Sequence, residues 1–223
     1  MRVVIAGATG MVGRELTHLC TQEKAVEKVF VLVRKQVPAF EDEEKIHQII
    51  VDYNTLSEKD LPANIDVAFC CLGTTMRNAQ SRDAFRKVDY DYVTGLASIC
   101  RFRKVRKFIA VSAMGADIKS RMFYNQVKGE MEDYLMNDSH LDNILILRPS
   151  LLLGQRREFR LAEKLATVVM TTFNALFIGN LRQYKAIPGK VVAQAMINLA
   201  KMEDEGKKII PNDLIFDVAK LRL

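Results

Sequence analysis

Apolar residues along this chain gather in short, nearly continuous runs, separated by stretches in which they recur at helical spacing. Arg2–Ala6, Val29–Val33, His47–Val51, Val67–Leu72, Lys107–Ser112 and Asn143–Leu147 have strand length and are rich in Val, Ile, Leu and Phe. Arg148-Pro149 halts the last of them. Between the strands, Met11–Cys20 sets Met11, Val12, Leu16, Leu19 and Cys20 at helical intervals, and Ser81–Phe102 and Tyr124–Met136 are long enough for covering helices. Strands that are apolar throughout need cover on both faces, and parallel neighbours need a crossover between them. The alternation predicts an α/β fold, doubly wound around a mainly parallel sheet.

After Gly154 the alternation loosens. Phe159–Phe177 is amphipathic and rich in Met, Thr and Phe; Lys190–Met202 is a clearer helix, and Lys208–Ile210 and Asp213–Lys220 close the chain. With no internal repeat or linker, residues 1–223 are expected to form one domain, in which 151–189 make a small C-terminal extension on the substrate side. Met114–Phe123 and Leu151–Asn180 are expected to wall a pocket, although Met170, Phe173 and Phe177 read better as core than as pocket lining.

Composition narrows the class. At 49% hydrophobic and 27% charged, the chain is neither disordered nor fibrous. No apolar run approaches the ~18–20 residues that span a bilayer. The apolar start is broken by three glycines, Arg14 and Glu15 without a cleavage pattern, so a soluble, unprocessed chain is expected. Cys20, Cys70, Cys71 and Cys100 form no C-x-x-C pair and read as reduced thiols of a cytoplasmic protein. His18, His47 and His140 lack metal-ligand spacing, so no metal site is expected. The net charge of +6 weakly favours anionic ligands. Its densest stretch, Arg101–Lys107, reads as a solvated helix end rather than a nucleic-acid patch, and no nucleic-acid partner is expected.

The candidate chemistry begins directly after the first strand, at Gly7-Ala8-Thr9-Gly10-Met11-Val12-Gly13. A turn that leads a strand into a helix and receives a pyrophosphate needs glycine three times: for the tight bend, for close approach of the ligand, and for helix–strand packing. The phosphates then lie on the free N–H groups of the helix N-terminus. This strand–turn–helix context predicts a Rossmann fold binding a nicotinamide dinucleotide. At the end of the second strand stand Arg34 and Lys35, with no carboxylate before Glu41. An acid there would bind the ribose hydroxyls of NAD, whereas a guanidinium accepts a 2′-phosphate, so NADP(H) is the expected cofactor. Asp52 and Tyr53 follow the third strand, within reach of an adenine. Cys71, Leu72, Gly73 and Thr74 end the fourth, where Gly73 permits close approach of the cofactor.

Tyr124 and Lys128 form a Y-x-x-x-K, one helical turn apart on one face. Ser112 precedes them at the carboxyl end of the fifth strand, the edge at which α/β sheets bind ligands. A tyrosine titrates near pH 10, but an adjacent ammonium and a positive nicotinamide favour its phenolate and draw that value down. Ser112 would hold a substrate oxygen beside Tyr124, and Lys128 would also bind the nicotinamide ribose.

GATGMVG, Ser112, Tyr124 with Lys128, and Leu147-Arg148-Pro149-Ser150 together resemble the short-chain dehydrogenase/reductase superfamily. CCLGTT at Cys70–Thr75, VDYDYV at Val88–Val93, SAMGAD from Ser112 to Asp117 and YNQVKGE at Tyr124–Glu130 are similar to its atypical branch of Tat-interacting, oxidoreductase-like proteins. The resemblance covers nearly the whole chain. It implies an NADPH-binding domain with Ser112, Tyr124 and Lys128 at the catalytic positions, and adds Pro149, Ser150 and Leu151 as cofactor contacts. Where the classical branch has N-N-A-G this chain has CLGT, so the usual catalytic asparagine lacks a counterpart. The tail after Gly154 is also too short for the substrate domain of sugar-nucleotide epimerases. Two functions follow: an NADPH-dependent reductase of a small carbonyl compound, or an NADPH-binding sensor that meets a protein partner.

Overall fold

The computed structural model describes residues 1–153, 179–203 and 206–221 of the chain. Its first half runs β1 (Arg2–Ala6), α1 (Met11–Gln22), β2 (Lys28–Val33), β3 (Ile46–Ile50), β4 (Val67–Cys70), α2 (Met76–Ala79), α3 (Arg82–Arg86) and α4 (Tyr92–Phe102). Then follow β5 (Lys107–Val111), α5 (Phe123–Asp133), β6 (Ile144–Arg148), β7 (Leu152–Leu153), β8 (Ile187–Pro188), α6 (Gly189–Lys201), β9 (Lys207–Pro211) and α7 (Asn212–Ala219). Seven strands join in the order β3-β2-β1-β4-β5-β6-β9, and each neighbouring pair is parallel. β7 and β8 form a separate parallel pair. The connection direction reverses between β1 and β4, which places a ligand crevice at their carboxyl ends.

The two-sided apolar strands explain the two cores. In β1, Val3 and Ile5 face one side, where Leu16, Phe69, Ile109, Met196 and Ile215 are buried. Val4 and Ala6 face the other, with Leu96, Phe108, Met131, Leu135 and Ile146. The predicted Rossmann architecture is therefore the one observed.

The differences are local. Lys208–Ile210 lies within β9, which adds a seventh strand beside β6. Ser81–Phe102 is broken: α3 passes into a wider π turn at Lys87–Asp91 before α4 resumes. Asp89 in that turn is as buried as Phe85 before it and Val93 after it. The amphipathic stretch Phe159–Phe177, with Met170, Phe173 and Phe177, lies outside the described residues, as does most of the 151–189 segment.

Candidate functional site

The glycine turn closes on the neighbouring strand. Gly7 has φ +80°, and a Cβ there would stand 2.5 Å from the carbonyl oxygen of Cys71. Gly13 is tighter still, since its Cβ would meet the carbonyl oxygen of Gly7 at 2.1 Å. Gly10 caps α1 in extended conformation, and its N–H donates to Gly7 O at 3.0 Å. No side chain caps α1, so its first N–H groups are left for an anion, as a pyrophosphate requires. Thr9 is an exposed member of the same turn; Met11 packs instead against the start of α6 at Gly189, and Val12 is buried in the core. The cradle fits the phosphates of a dinucleotide.

Toward the adenine side, Arg34 and Lys35 are exposed just past β2. Asp52 accepts from the backbone N–H and side chain of Asn54, making a local turn rather than an open arm. Tyr53 reaches back across the strand ends. Its hydroxyl donates to Leu32 O at 3.0 Å, and its ring stacks on Tyr92 at 5.3 Å. Burial pushes its phenol well above the ordinary range, so it is a neutral wall. The Cys71 and Leu72 backbones approach Gly7, and Thr74 N–H donates to Asp89 at 2.8 Å.

The catalytic candidates lie at β5's carboxyl end, for Ser112, and on α5, for Tyr124 and Lys128. Ser112 is only 5% exposed, and its Oγ has no hydrogen-bond partner among the described residues. A buried hydroxyl left unsatisfied is costly and uncommon in a folded protein, which marks a place for a ligand oxygen. Its backbone N–H is fixed by Leu147 O at 2.8 Å. Tyr124 and Lys128 project from α5 one turn apart, and the Tyr124 ring packs 5.4 Å from that of Phe85. The helix comes close enough because Gly129 has no side chain; a Cβ there would lie 2.3 Å from the backbone at Asp117 and Ile118. Lys128 Nζ lies 2.8 Å from Asp89 Oδ1, with both side chains buried. Burial opposes its charge, but Asp89 and Tyr124 outweigh that and raise its pKa above the ordinary lysine value.

The remaining positions are placed differently. Pro149 O accepts the N–H of Met114, which ties the loops after β5 and β6 together. Ser150 is engaged elsewhere: its hydroxyl donates to Lys185 O at 2.5 Å and its N–H to Asn212 Oδ1 at 3.0 Å. Leu151 is exposed. Asp89 was quoted within VDYDYV without a task. Its signal is a carboxylate in the buried stripe Phe85–Asp89–Val93–Leu96–Cys100, where helical spacing calls for apolar side chains.

All four cysteines are free, and burial raises Cys20 to about 12 and Cys70 to about 11, so neither is a reactive thiolate. Among the described residues, no group of three His, Cys, Asp or Glu could hold a metal ion, and no helix is long and apolar enough to cross a membrane.

The sheet order and the glycine cradle define an NAD(P)-binding Rossmann protein. The chain belongs to the NAD(P)H-binding family, whose model matches residues 7–175. It is 34% identical to Protein HTATIP2 of Rattus norvegicus over 98% of this chain and 89% of that protein. It is 29% identical to Protein FMP52, mitochondrial, of Eremothecium gossypii over 99% and 98% of the two. The fold is shared with MoeE5 in complex with UDP-glucose and NAD, at TM-score 0.70 and 15% identity over 94% of this chain and 75% of that one. The oxidoreductase ylbE from Lactococcus lactis matches at TM-score 0.57 and 18% identity, over 77% and 85% of the chains.

These relatives correct one expectation. The cytoplasmic assignment does not stand, because the fungal relatives are named as mitochondrial proteins. Reduced, buried thiols and a basic surface suit several compartments, so composition carried no address.

Proposed function

We propose that this protein is an NADPH-dependent reductase of a small carbonyl compound, acting through Ser112, Tyr124 and Lys128. The observation that carries the reading is the buried Ser112 hydroxyl, without a partner among the described residues, on the same sheet edge as the Tyr124–Lys128 pair. The cofactor, when bound, supplies hydride. Ser112 donates a hydrogen bond to the substrate's carbonyl oxygen and sets its orientation. Tyr124 gives its phenolic proton to that oxygen as negative charge develops there. Lys128 stabilises the resulting phenolate and binds the nicotinamide ribose. Arg34, with Lys35, accepts the 2′-phosphate and selects NADPH over NADH.

The test is NADPH oxidation against a panel of aldehydes and ketones, with Tyr124→Phe as the control. For any compound reduced, Tyr124→Phe lowers turnover by about 10²–10⁴, the worth of a lost general acid, and leaves NADPH affinity unchanged. Undiminished turnover removes Tyr124 from the mechanism. If nothing is reduced while NADPH alters affinity for a protein partner, the chain is a cofactor sensor.

A further inference from the structure

The proposed chemistry leaves one buried charge without a task. The Asp89 side chain, in the π turn between α3 and α4, is completely buried. A carboxylate removed from water is costly unless its oxygens find donors. Oδ1 meets Lys128 Nζ as an ion pair at 2.8 Å, without an aligned hydrogen bond among the described residues, and the other oxygen accepts Thr74 N–H at 2.8 Å. Gly73 packs directly on the pair: a Cβ there would stand 3.3 Å from Asp89 Oδ1 and 3.6 Å from Lys128 Nζ. A single carboxylate thus joins α5, the π turn and the loop after β4.

A contact needed only for packing could be made by apolar side chains of similar size at no loss of stability. A buried ion pair in that place points to a use for the charge on Lys128. The titratable groups that face Lys128 are Asp89 from the π turn, Tyr124 from its own helix and Cys70 from β4. Burial raises the Cys70 thiol to about 11, so it is neutral near pH 7. Among the described residues, Asp89 is then the anion that holds Lys128 charged.

We propose that Asp89 is a positioning residue: it keeps the Lys128 ammonium charged and aimed at the cofactor's ribose, and it locks that position to the Gly73–Thr74 loop. The proposal rests on the reading that Lys128 meets the ribose.

The test is NADPH affinity, followed by fluorescence titration from about pH 7 to about pH 10, a range in which an unopposed buried lysine would lose its proton. The unmodified protein binds with little pH dependence. Asp89→Asn keeps the shape but removes the counter-charge, so burial lowers the Lys128 pKa into that range. Affinity then falls about tenfold as pH rises, the worth of one charged hydrogen bond. Adding Lys128→Met to Asp89→Asn leaves binding weak and independent of pH. A flat profile in Asp89→Asn overturns the proposal, and so does a slope that survives in the double variant. If Asp89→Asn does not fold, NMR of the lysine-labelled unmodified protein decides: Lys128 titrates above the exposed lysines, and titration at or below them overturns the proposal. Lys128→Met alone with unchanged affinity would instead remove the underlying cofactor reading.

Discussion

Two buried lysines stand at opposite ends of the same sheet, and their surroundings differ in kind. Lys107 opens β5, and its Nζ donates to the carbonyls of Leu199, Met202 and Glu203 at 3.1, 2.7 and 3.2 Å. Those carbonyls end α6, where a helix leaves acceptors unsatisfied and its dipole favours a cation. Lys128 is also buried, but it faces the Asp89 carboxylate and a tyrosine one turn before it. Among the described residues, the first lysine meets backbone carbonyls at a helix end. The second meets side chains that can hold or move a proton. Burial alone does not mark a functional lysine; the chemistry of its neighbours does.

Exchanging each lysine for methionine tests that contrast. Lys128→Met is expected to have the larger effect, because it removes the proposed ribose contact and the proposed partner of the phenolate. Turnover is lost and NADPH affinity falls at least tenfold, while the stranded Asp89 charge costs about 3–5 kcal/mol in urea unfolding. Adding Asp89→Asn recovers most of that stability and none of the affinity. Lys107→Met orphans buried carbonyls and costs about 2–4 kcal/mol, with NADPH affinity unchanged in the folded protein. The contrast fails if Lys107→Met weakens the cofactor as much as Lys128→Met does.

The difference also explains what the sequence could reveal. The sheet was legible because each strand carries apolar residues on both faces, and the phosphate turn because only glycine fits at Gly7 and Gly13. Ser112, Tyr124 and Lys128 could be named from strand-end position and one-turn spacing. Asp89 could not be assigned, because its partner lies thirty-nine positions on in the chain (128 − 89) and the π turn interrupts the helical period. Lys107 was hidden for a similar reason: the acceptors it meets among the described residues are backbone atoms more than ninety positions away. The break in Ser81–Phe102 had no Pro or Gly at Lys87–Asp91 to announce it.

A smaller effect sharpens the picture at the adenine side, where the proposed preference for NADPH rests on exposed charge rather than on buried pairs. Arg34→Asp lowers NADPH affinity by about ten- to a hundredfold, as expected for lost charged hydrogen bonds, and spares NADH. Equal affinities of the unmodified protein for NADPH and NADH, in parallel titrations, would mean that Arg34 and Lys35 are solvated surface residues.

The most direct measurement is an experimental structure of the NADPH complex. The account predicts the pyrophosphate over the Gly7–Gly13 turn, the ribose hydroxyls of the nicotinamide half on Lys128 Nζ, and Ser112 Oγ and Tyr124 Oη converging beside the nicotinamide ring. A nicotinamide ring bound beyond hydrogen-bond reach of Ser112 and Tyr124, or a ribose that leaves Lys128 paired with Asp89 alone, would contradict it.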